Sequence, residues 1–130
     1  VHAGQSSVLS VGPPPGRASW PIALRDPRNQ EESLTTLELR KSAVSGSGIQ
    51  LHGRHIIDPR NGRPIEHRVG AWATAPTAAR SDALSTAFMI MTREEARTYR
   101  EKHPETAALV LERTQKGIEE VAYGRLGEAP

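Results

Sequence analysis

The segment His55–Gly62, near the middle of the chain, has the sequence HIIDPRNG. Its first three residues favour a short strand. The next five are typical of a type I turn, with proline at the second position, an aspartate that caps from the first, and a glycine that accepts a positive φ. His55 is therefore expected to lie on rigid structure beside a tight turn. Such a histidine can serve in acid–base chemistry or can be a structural residue hydrogen-bonded to the backbone.

A second polar motif, SDALST at Ser81–Thr86, lies within the segment Ala78–Met91, which is predicted to be a helix. Asp82 and Thr86 are one helical turn apart and face away from the apolar stripe formed by Leu84, Ala87, Phe88 and Met91. Asp82 is favoured near the start of a helix on electrostatic grounds alone, and Thr86 alone would be a packed helix residue. A carboxylate and a hydroxyl at this spacing can also hold a divalent cation, because Mg²⁺ prefers hard oxygen ligands.

The remaining elements follow from hydrophobic patterning and turn residues. A capping-box spacing at Thr92–Glu95 predicts a second helix that ends before Pro104. The Ser-Gly run at Ser45–Gly48 is interpreted as a flexible turn that exposes backbone amides, and the Gly-Gln-Ser run at 4–6 as a similar turn. Further strands are predicted at Val8–Val11, Trp20–Arg25, Leu34–Arg40, Ile49–His52, Val69–Ala75, Ala107–Leu111 and Ile118–Tyr123. Together they predict an α+β fold with an antiparallel sheet, one helix that carries Asp82 and Thr86, and a second helix that covers the surface.

Composition excludes several classes of function. The chain has 130 residues, of which 36% are hydrophobic and 25% charged, which suits one modest core. Basic residues exceed acidic ones by only two and are scattered among them, which argues against a nucleic-acid surface. The absence of cysteine excludes disulfides and a thiolate nucleophile. No apolar run approaches the ~18 residues of a membrane span, and the start at Val1 inside a Ser/Val alternation leads us to expect a larger protein.

Taken in this order, the two motifs resemble the C-terminal part of the ApbE-type FAD:protein FMN transferases. The family form of the first motif is His-Ile-Ile-Asp-Pro-Arg-Thr-Gly, so only Asn61 differs. The second motif matches the family pattern Ser/Ala-Asp-Ala-x-x-Thr, in which Asp82 and Thr86 are the equivalent residues. Two acids of the family are replaced, one in the turn at 4–6 and the other at Ser47, where Thr-Ser-Gly-Asp is typical.

The resemblance implies an enzyme that binds FAD, uses Mg²⁺ at the pyrophosphate and transfers FMN to a Thr or Ser hydroxyl of a target flavoprotein, releasing AMP. It implies that His55 is the catalytic base and that Asp82 and Thr86 bind the metal together with a backbone carbonyl from an earlier segment. The residues expected to contact FAD are Gly4, Ser6, Ser45, Gly46 and Arg60. Residues 1–130 would then be the C-terminal part of a single ApbE-like domain, with 124–130 as a flexible tail and the FAD pocket completed by an N-terminal half.

Two alternatives remain open at this point. The same site with water as acceptor would be an FAD pyrophosphatase that yields FMN and AMP. A non-catalytic FAD-binding module is the other alternative, because acids of the family are replaced at Gln5 and Ser47. The resemblance is compatible with a periplasmic or lipoprotein-anchored location and equally with a cytoplasmic one.

Overall fold

A six-stranded antiparallel sheet forms the centre of the structure, a computed structural model that describes residues 1–4, 6–49 and 55–127. The elements in chain order are β1 (His2–Ala3), β2 (Ser7–Leu9), β3 (Trp20–Asp26), β4 (Asn29–Leu39), β5 (Ala43–Gly48), β6 (Ile57–Asp58), β7 (Arg63–Pro64), β8 (Arg68–Ala75), α1 (Ala78–Ile90), α2 (Arg93–Lys102), β9 (Ala107–Thr114) and β10 (Gly117–Tyr123).

The strand order in the central sheet is β1-β2-β5-β8-β9-β10, and every neighbouring pair is antiparallel. Strands β3 and β4 form a separate hairpin, and β6 and β7 form a short one. The predicted α+β fold with an antiparallel sheet and two helices is therefore confirmed. Neither helix in the described part of the chain is both long enough and apolar enough to cross a membrane.

The two faces of the central sheet are covered by different elements. Alternate residues of β8, namely Ala71, Ala73 and Ala75, pack with Leu84, Phe88 and Met89 of α1 in one buried cluster. Trp72, which lies between Ala71 and Ala73, packs on the other face of the sheet, against the leucines of the β3–β4 hairpin. This split follows from the two-residue period of a strand, which sends successive side chains to opposite faces.

Helix α1 confirms the predicted helix almost to its ends. The Thr77 side chain caps its start by accepting from the Arg80 amide, and Met91 is the cap at its end. The predicted helix after Thr92 is also confirmed, and the Thr92 and Glu95 side chains each accept from the other's backbone amide, at 3.1 and 2.7 Å. It ends before Pro104, as expected.

Most predicted strands are confirmed with small shifts at their ends, and β4 begins at Asn29 rather than Leu34. The predicted tail from 124 onward is described as far as Gly127, and within it Leu126 packs against the leucines of the β3–β4 hairpin. Of the predicted strand Ile49–His52, only Ile49 is described, in a bend after β5. The strand predicted to include His55 is shorter, because pairing begins only at Ile57.

The predicted flexible turn at Ser45–Gly48 is wrong. These residues are in β5, an interior strand that pairs with β2 on one side and β8 on the other. Gly46 does not have the positive φ that an amide-exposing turn requires, and its amide donates to the Ser6 carbonyl at 2.8 Å. Glycine is needed here for a different reason: a Cβ would lie 2.9 Å from Cδ1 and Nε1 of Trp72.

Replacing Gly46 by alanine should therefore destabilise the protein, because the Trp72 ring or the strand must move. The expected loss is about 1–3 kcal/mol, the usual cost of overpacking. Urea unfolding of Gly46→Ala measures it. The matched control is Gly12→Ala, where a Cβ would meet nothing within 4 Å, and equal stability losses in the two variants would contradict the close approach to Trp72.

Candidate active site

Asp82 and Thr86 lie on the exposed side of α1, at the spacing that the sequence predicted. Ser81 and Ser85 are on the same helix but are fully buried against the sheet. The helix therefore presents a carboxylate and a hydroxyl to solvent on one side and two serine hydroxyls to the strand beneath on the other.

The buried serines of α1 meet serines of β5. Ser45 Oγ lies 2.7 Å from Ser81 Oγ, and Ser47 Oγ lies 2.8 Å from Ser85 Oγ. We call these two contacts the serine seam. Ser47 Oγ is also 3.0 Å from the Thr86 hydroxyl, which connects the seam to the exposed side of α1.

The serine seam was not predicted from the sequence, although a signal for it was present. Ser45 and Ser47 are two apart, so they point to the same side of a strand, and Ser81 and Ser85 are four apart, so they share one face of a helix. Two matched pairs of small hydroxyl residues indicate two elements in close polar contact, but only once Ser45–Gly48 is recognised as a strand.

The donor set on α1 has the chemistry of part of a magnesium site. Asp82 and Thr86 supply two hard oxygens, and Mg²⁺ commonly completes its octahedron with water and substrate phosphate oxygens. Among the residues that the structure describes, no group of three or more His, Cys, Asp or Glu side chains could hold a metal. In that part of the chain, Asp82 therefore belongs to no cluster of three such side chains.

The predicted turn after His55 is confirmed in detail. The Gly62 amide donates to the Asp58 carbonyl at 2.8 Å, and Gly62 has φ +69°. The Asp58 carboxylate accepts from the Arg60 amide at 2.9 Å and from the Arg60 guanidinium through Nε at 2.9 Å and Nη2 at 2.8 Å. This hydrogen bonding from Arg60 holds the pKa of Asp58 below its usual value.

The same four residues, DPRN, occur earlier as Asp26–Asn29, and they form the same contact between aspartate and arginine. The Asp26 carboxylate accepts from the Arg28 amide at 2.8 Å and from the guanidinium Nη2 at 2.5 Å. The side chains of Asn29 and Asn61 each accept from the backbone amide two residues later. The clasp between aspartate and arginine is therefore a property of this tetrapeptide.

Arg60 also contacts both helices. Its guanidinium donates to the Glu95 carboxylate at 3.0 Å and to the Ile90 carbonyl at 3.0 Å. These partners join the turn to the end of α1 and the start of α2. Arg60 remains a predicted FAD contact. In the structure its guanidinium already donates to three protein acceptors, which belong to Asp58, Glu95 and Ile90.

His55 is exposed, and the residue after it, Ile56, is buried. The Ile56 carbonyl accepts from the Ile65 amide at 3.0 Å, which fixes the backbone next to His55. The rigid support predicted for His55 is thus provided by Ile56 and the turn. His52, its neighbour in sequence, lies outside the described residues.

The predicted FAD contacts fall into two places. Gly4 has φ +61° in a turn, and Ser6 and Gly46 are joined through their backbones, so Gly4, Ser6, Ser45 and Gly46 lie around the junction of β2 and β5. Ser7 extends the serine seam here, with its Oγ 2.9 Å from Ser45 Oγ. Arg60 is near the opposite end of α1. The structure therefore places four predicted FAD contacts beside the serine seam and the fifth elsewhere.

Arg68 is a structural residue that the sequence did not indicate. It is fully buried, and its Nη1 donates to the Phe88 carbonyl in the last turn of α1. Helix carbonyls there have no partner within the helix. Burial lowers the pKa of Arg68. A lone arginine at the start of a strand normally suggests a surface position, which is why pattern alone missed it.

Comparison with known proteins identifies the family. The ApbE family model matches residues 1–110. This chain belongs to the ApbE family. It is 34% identical over 88 residues to the FAD:protein FMN transferase of Escherichia coli K12, a match covering 60% of this chain and 25% of that protein. The corresponding Salmonella typhimurium protein is 32% identical over 87 residues, covering 59% and 25%.

Solved structures agree with this assignment. The flavin transferase ApbE from Vibrio cholerae superposes with a TM-score of 0.69 at 28% identity, covering 85% of this chain and 38% of that one. The apo form of the Pseudomonas stutzeri flavinyl transferase ApbE gives 0.71 at 28% identity, covering 91% and 38%. The chain thus spans about a quarter of its curated relatives' length and under two fifths of these two structures.

The clasp between Asp58 and Arg60 should make stability depend on pH in a defined direction. The folded-state pKa of Asp58 is below its unfolded value, so its contribution is fully present above about pH 4 and is lost as pH falls through the folded pKa. Asp58→Asn should therefore be less stable than the parent at pH 7, with a smaller difference at pH 3. Urea unfolding at both pH values tests this, and a difference that did not shrink at pH 3 would contradict it.

Proposed function

We propose that the protein containing this chain transfers FMN from FAD to a threonine or serine hydroxyl of a target flavoprotein and releases AMP. The observation that carries the proposal is the pair of exposed oxygen ligands, Asp82 and Thr86, on a helix within the region that matches the ApbE family. The curated relatives are named FAD:protein FMN transferase, which supports the same reaction.

Asp82 and Thr86 would hold a magnesium ion through the carboxylate and the hydroxyl oxygen. A magnesium ion bound there would neutralise negative charge on the FAD pyrophosphate. The protein's own contribution is to keep both oxygens on one exposed side of α1. Residues 1–130 would be the C-terminal part of the domain, and an N-terminal half would supply the remaining metal ligand and most of the flavin and adenine pocket.

His55 would act as the base. The acceptor hydroxyl oxygen forms a bond to the FMN phosphorus, the bond from that phosphorus to the AMP oxygen breaks, and the hydroxyl proton passes to the imidazole. A histidine suits this step because its neutral form is available near physiological pH. Its exposure fits the role, since the acceptor is a protein side chain that must approach from outside.

The FAD contacts would be provided by the junction of β2 and β5, where Gly4, Ser6, Ser45 and Gly46 meet. Among them, Gly46 is adjacent to Ser47, whose hydroxyl contacts Thr86, which suits a ligand whose phosphates share the cation. A contact from Arg60 to phosphate would require its guanidinium to leave at least one of its present acceptors.

The test is flavin labelling of an acceptor protein by the full-length enzyme with FAD and Mg²⁺. Asp82→Ala should remove the fluorescent flavin band, because the cation loses its charged ligand. His55→Ala should slow labelling by about 10²–10⁴-fold, the usual contribution of a general base. Glu101→Ala, which removes an exposed acid of α2, is the matched control and should label normally.

Measurement of AMP separates transfer from hydrolysis. Under the proposal, AMP forms in step with the labelled band and requires the acceptor protein. Fast AMP release without acceptor would instead indicate an FAD pyrophosphatase. Labelling that persisted in Asp82→Ala would rule out the cation assignment.

A further inference from the structure

The direction of each hydrogen bond around Ser47 can be deduced from the backbone. Ser85 Oγ lies 2.9 Å from the Asp82 carbonyl, which can only accept, so Ser85 must donate its single hydroxyl proton there. Ser85 therefore accepts in its 2.8 Å contact with Ser47, and the Ser47 proton points to Ser85. With its only proton used, Ser47 must accept in its 3.0 Å contact with Thr86.

The proton of the Thr86 hydroxyl is thus directed into the protein, toward Ser47. A helical threonine often donates instead to the carbonyl four residues earlier, which here belongs to Asp82, but Ser85 already donates to that carbonyl. With the proton directed inward, the lone pairs of Thr86 Oγ1 are left for a ligand on the exposed side. A hydroxyl that binds a cation needs this arrangement, because its oxygen must face the ion and its proton must point away.

We propose that Ser47 is a positioning residue for the cation site: by accepting the Thr86 proton it keeps the Thr86 oxygen turned toward the ion. The proposal rests on the proposed function, since it assumes the cation at Asp82 and Thr86. Thr86 donates to Ser47, Ser47 to Ser85, and Ser85 to the Asp82 carbonyl. One hydrogen-bonded path therefore joins the two residues that are proposed to bind the cation.

The other half of the serine seam provides an internal comparison. Ser81 donates to the Ala78 carbonyl at 3.0 Å, accepts from Ser45, and through it is linked to Ser7. This path has the same chemistry and joins the same strand and helix, but it does not include Asp82 or Thr86. A residue that only holds α1 on β5 should behave like Ser81, whereas a positioning residue should not.

The experiment is a titration of Mn²⁺ into the full-length protein with FAD and no acceptor, with free Mn²⁺ measured by electron paramagnetic resonance. Ser47→Ala should raise the Mn²⁺ dissociation constant about tenfold, the effect of losing one hydrogen bond at the site. Ser47→Thr, which keeps the hydroxyl, and Ser81→Ala should stay within about threefold of the parent. Ser47→Cys, similar in size but a weak acceptor, should behave like Ser47→Ala and guards against a folding defect.

A second readout is the magnesium dependence of flavin labelling. Ser47→Ala should need about tenfold more Mg²⁺ for half-maximal rate, and saturating Mg²⁺ should restore the rate, because the ligand is mispositioned rather than absent. A variant damaged only in its structure would not be rescued in this way.

The outcomes distinguish this proposal from the proposed function. If Asp82→Ala weakens Mn²⁺ binding but Ser47→Ala and Ser47→Cys bind like Ser81→Ala, the cation site stands and the role of Ser47 is overturned. Equal losses in Ser47→Thr and Ser47→Ala would also overturn it, since the hydroxyl would not be the cause. If Asp82→Ala leaves Mn²⁺ binding unchanged, the cation site itself fails, and this proposal with it.

Discussion

The contact between serine hydroxyls of β5 and α1 is the constraint on which the candidate site depends. Buried hydroxyls are costly when unpaired, by about 1–3 kcal/mol each, and here the buried Ser45, Ser81 and Ser85 and the half-buried Ser47 all have partners. Because hydrogen bonds are directional, they fix the rotation of the helix on the sheet more tightly than apolar packing alone. That rotation determines which residues of α1 face solvent, and Asp82 and Thr86 are among them.

The two ends of α1 are held by residues from other parts of the chain. Thr77 caps the start, whereas the last turn contains no basic residue of its own. Two arginines from outside the helix donate to carbonyls of that turn: Arg68 from β8 to Phe88, and Arg60 from the turn after His55 to Ile90. Both place positive charge at the negative end of the helix dipole, which is favourable. The turn after His55 and helix α1 are thereby attached to one another.

Much of the fold could be predicted because its local signals are strong. Both helices have caps that are visible in the sequence, and the turn after His55 has aspartate, proline and glycine at informative positions. The error at Ser45–Gly48 arose because Gly and Ser have low strand propensity, while their actual environment, between β2 and β8 and against Trp72, is tertiary. The strand conformation of Ser45–Gly48 depends on pairing with β2 and β8, and residue pattern along the chain does not contain that information.

For the candidate site, the sequence indicated Asp82 and Thr86 but not their surroundings. Helical spacing is enough to place the two oxygens on one exposed side. The role of Ser47 depends on contacts with residues almost forty positions away. The burial of Arg68 depends on where the end of α1 lies, because its guanidinium donates to a carbonyl there. Long-range polar contacts of this kind produce no periodic pattern in the sequence, so they could not be predicted from it.

The repeated tetrapeptide DPRN shows what kind of information a short motif contains. The contact between aspartate and arginine forms at both Asp26 and Asp58, although the strands close on a two-residue loop in the first case and a four-residue loop in the second, so it behaves as a portable unit of structure. Such a unit could be transplanted into other loops to rigidify them. Its presence alone therefore says nothing about chemistry, and the two copies already differ three places before the aspartate, where the first has Ala23 and the second has His55.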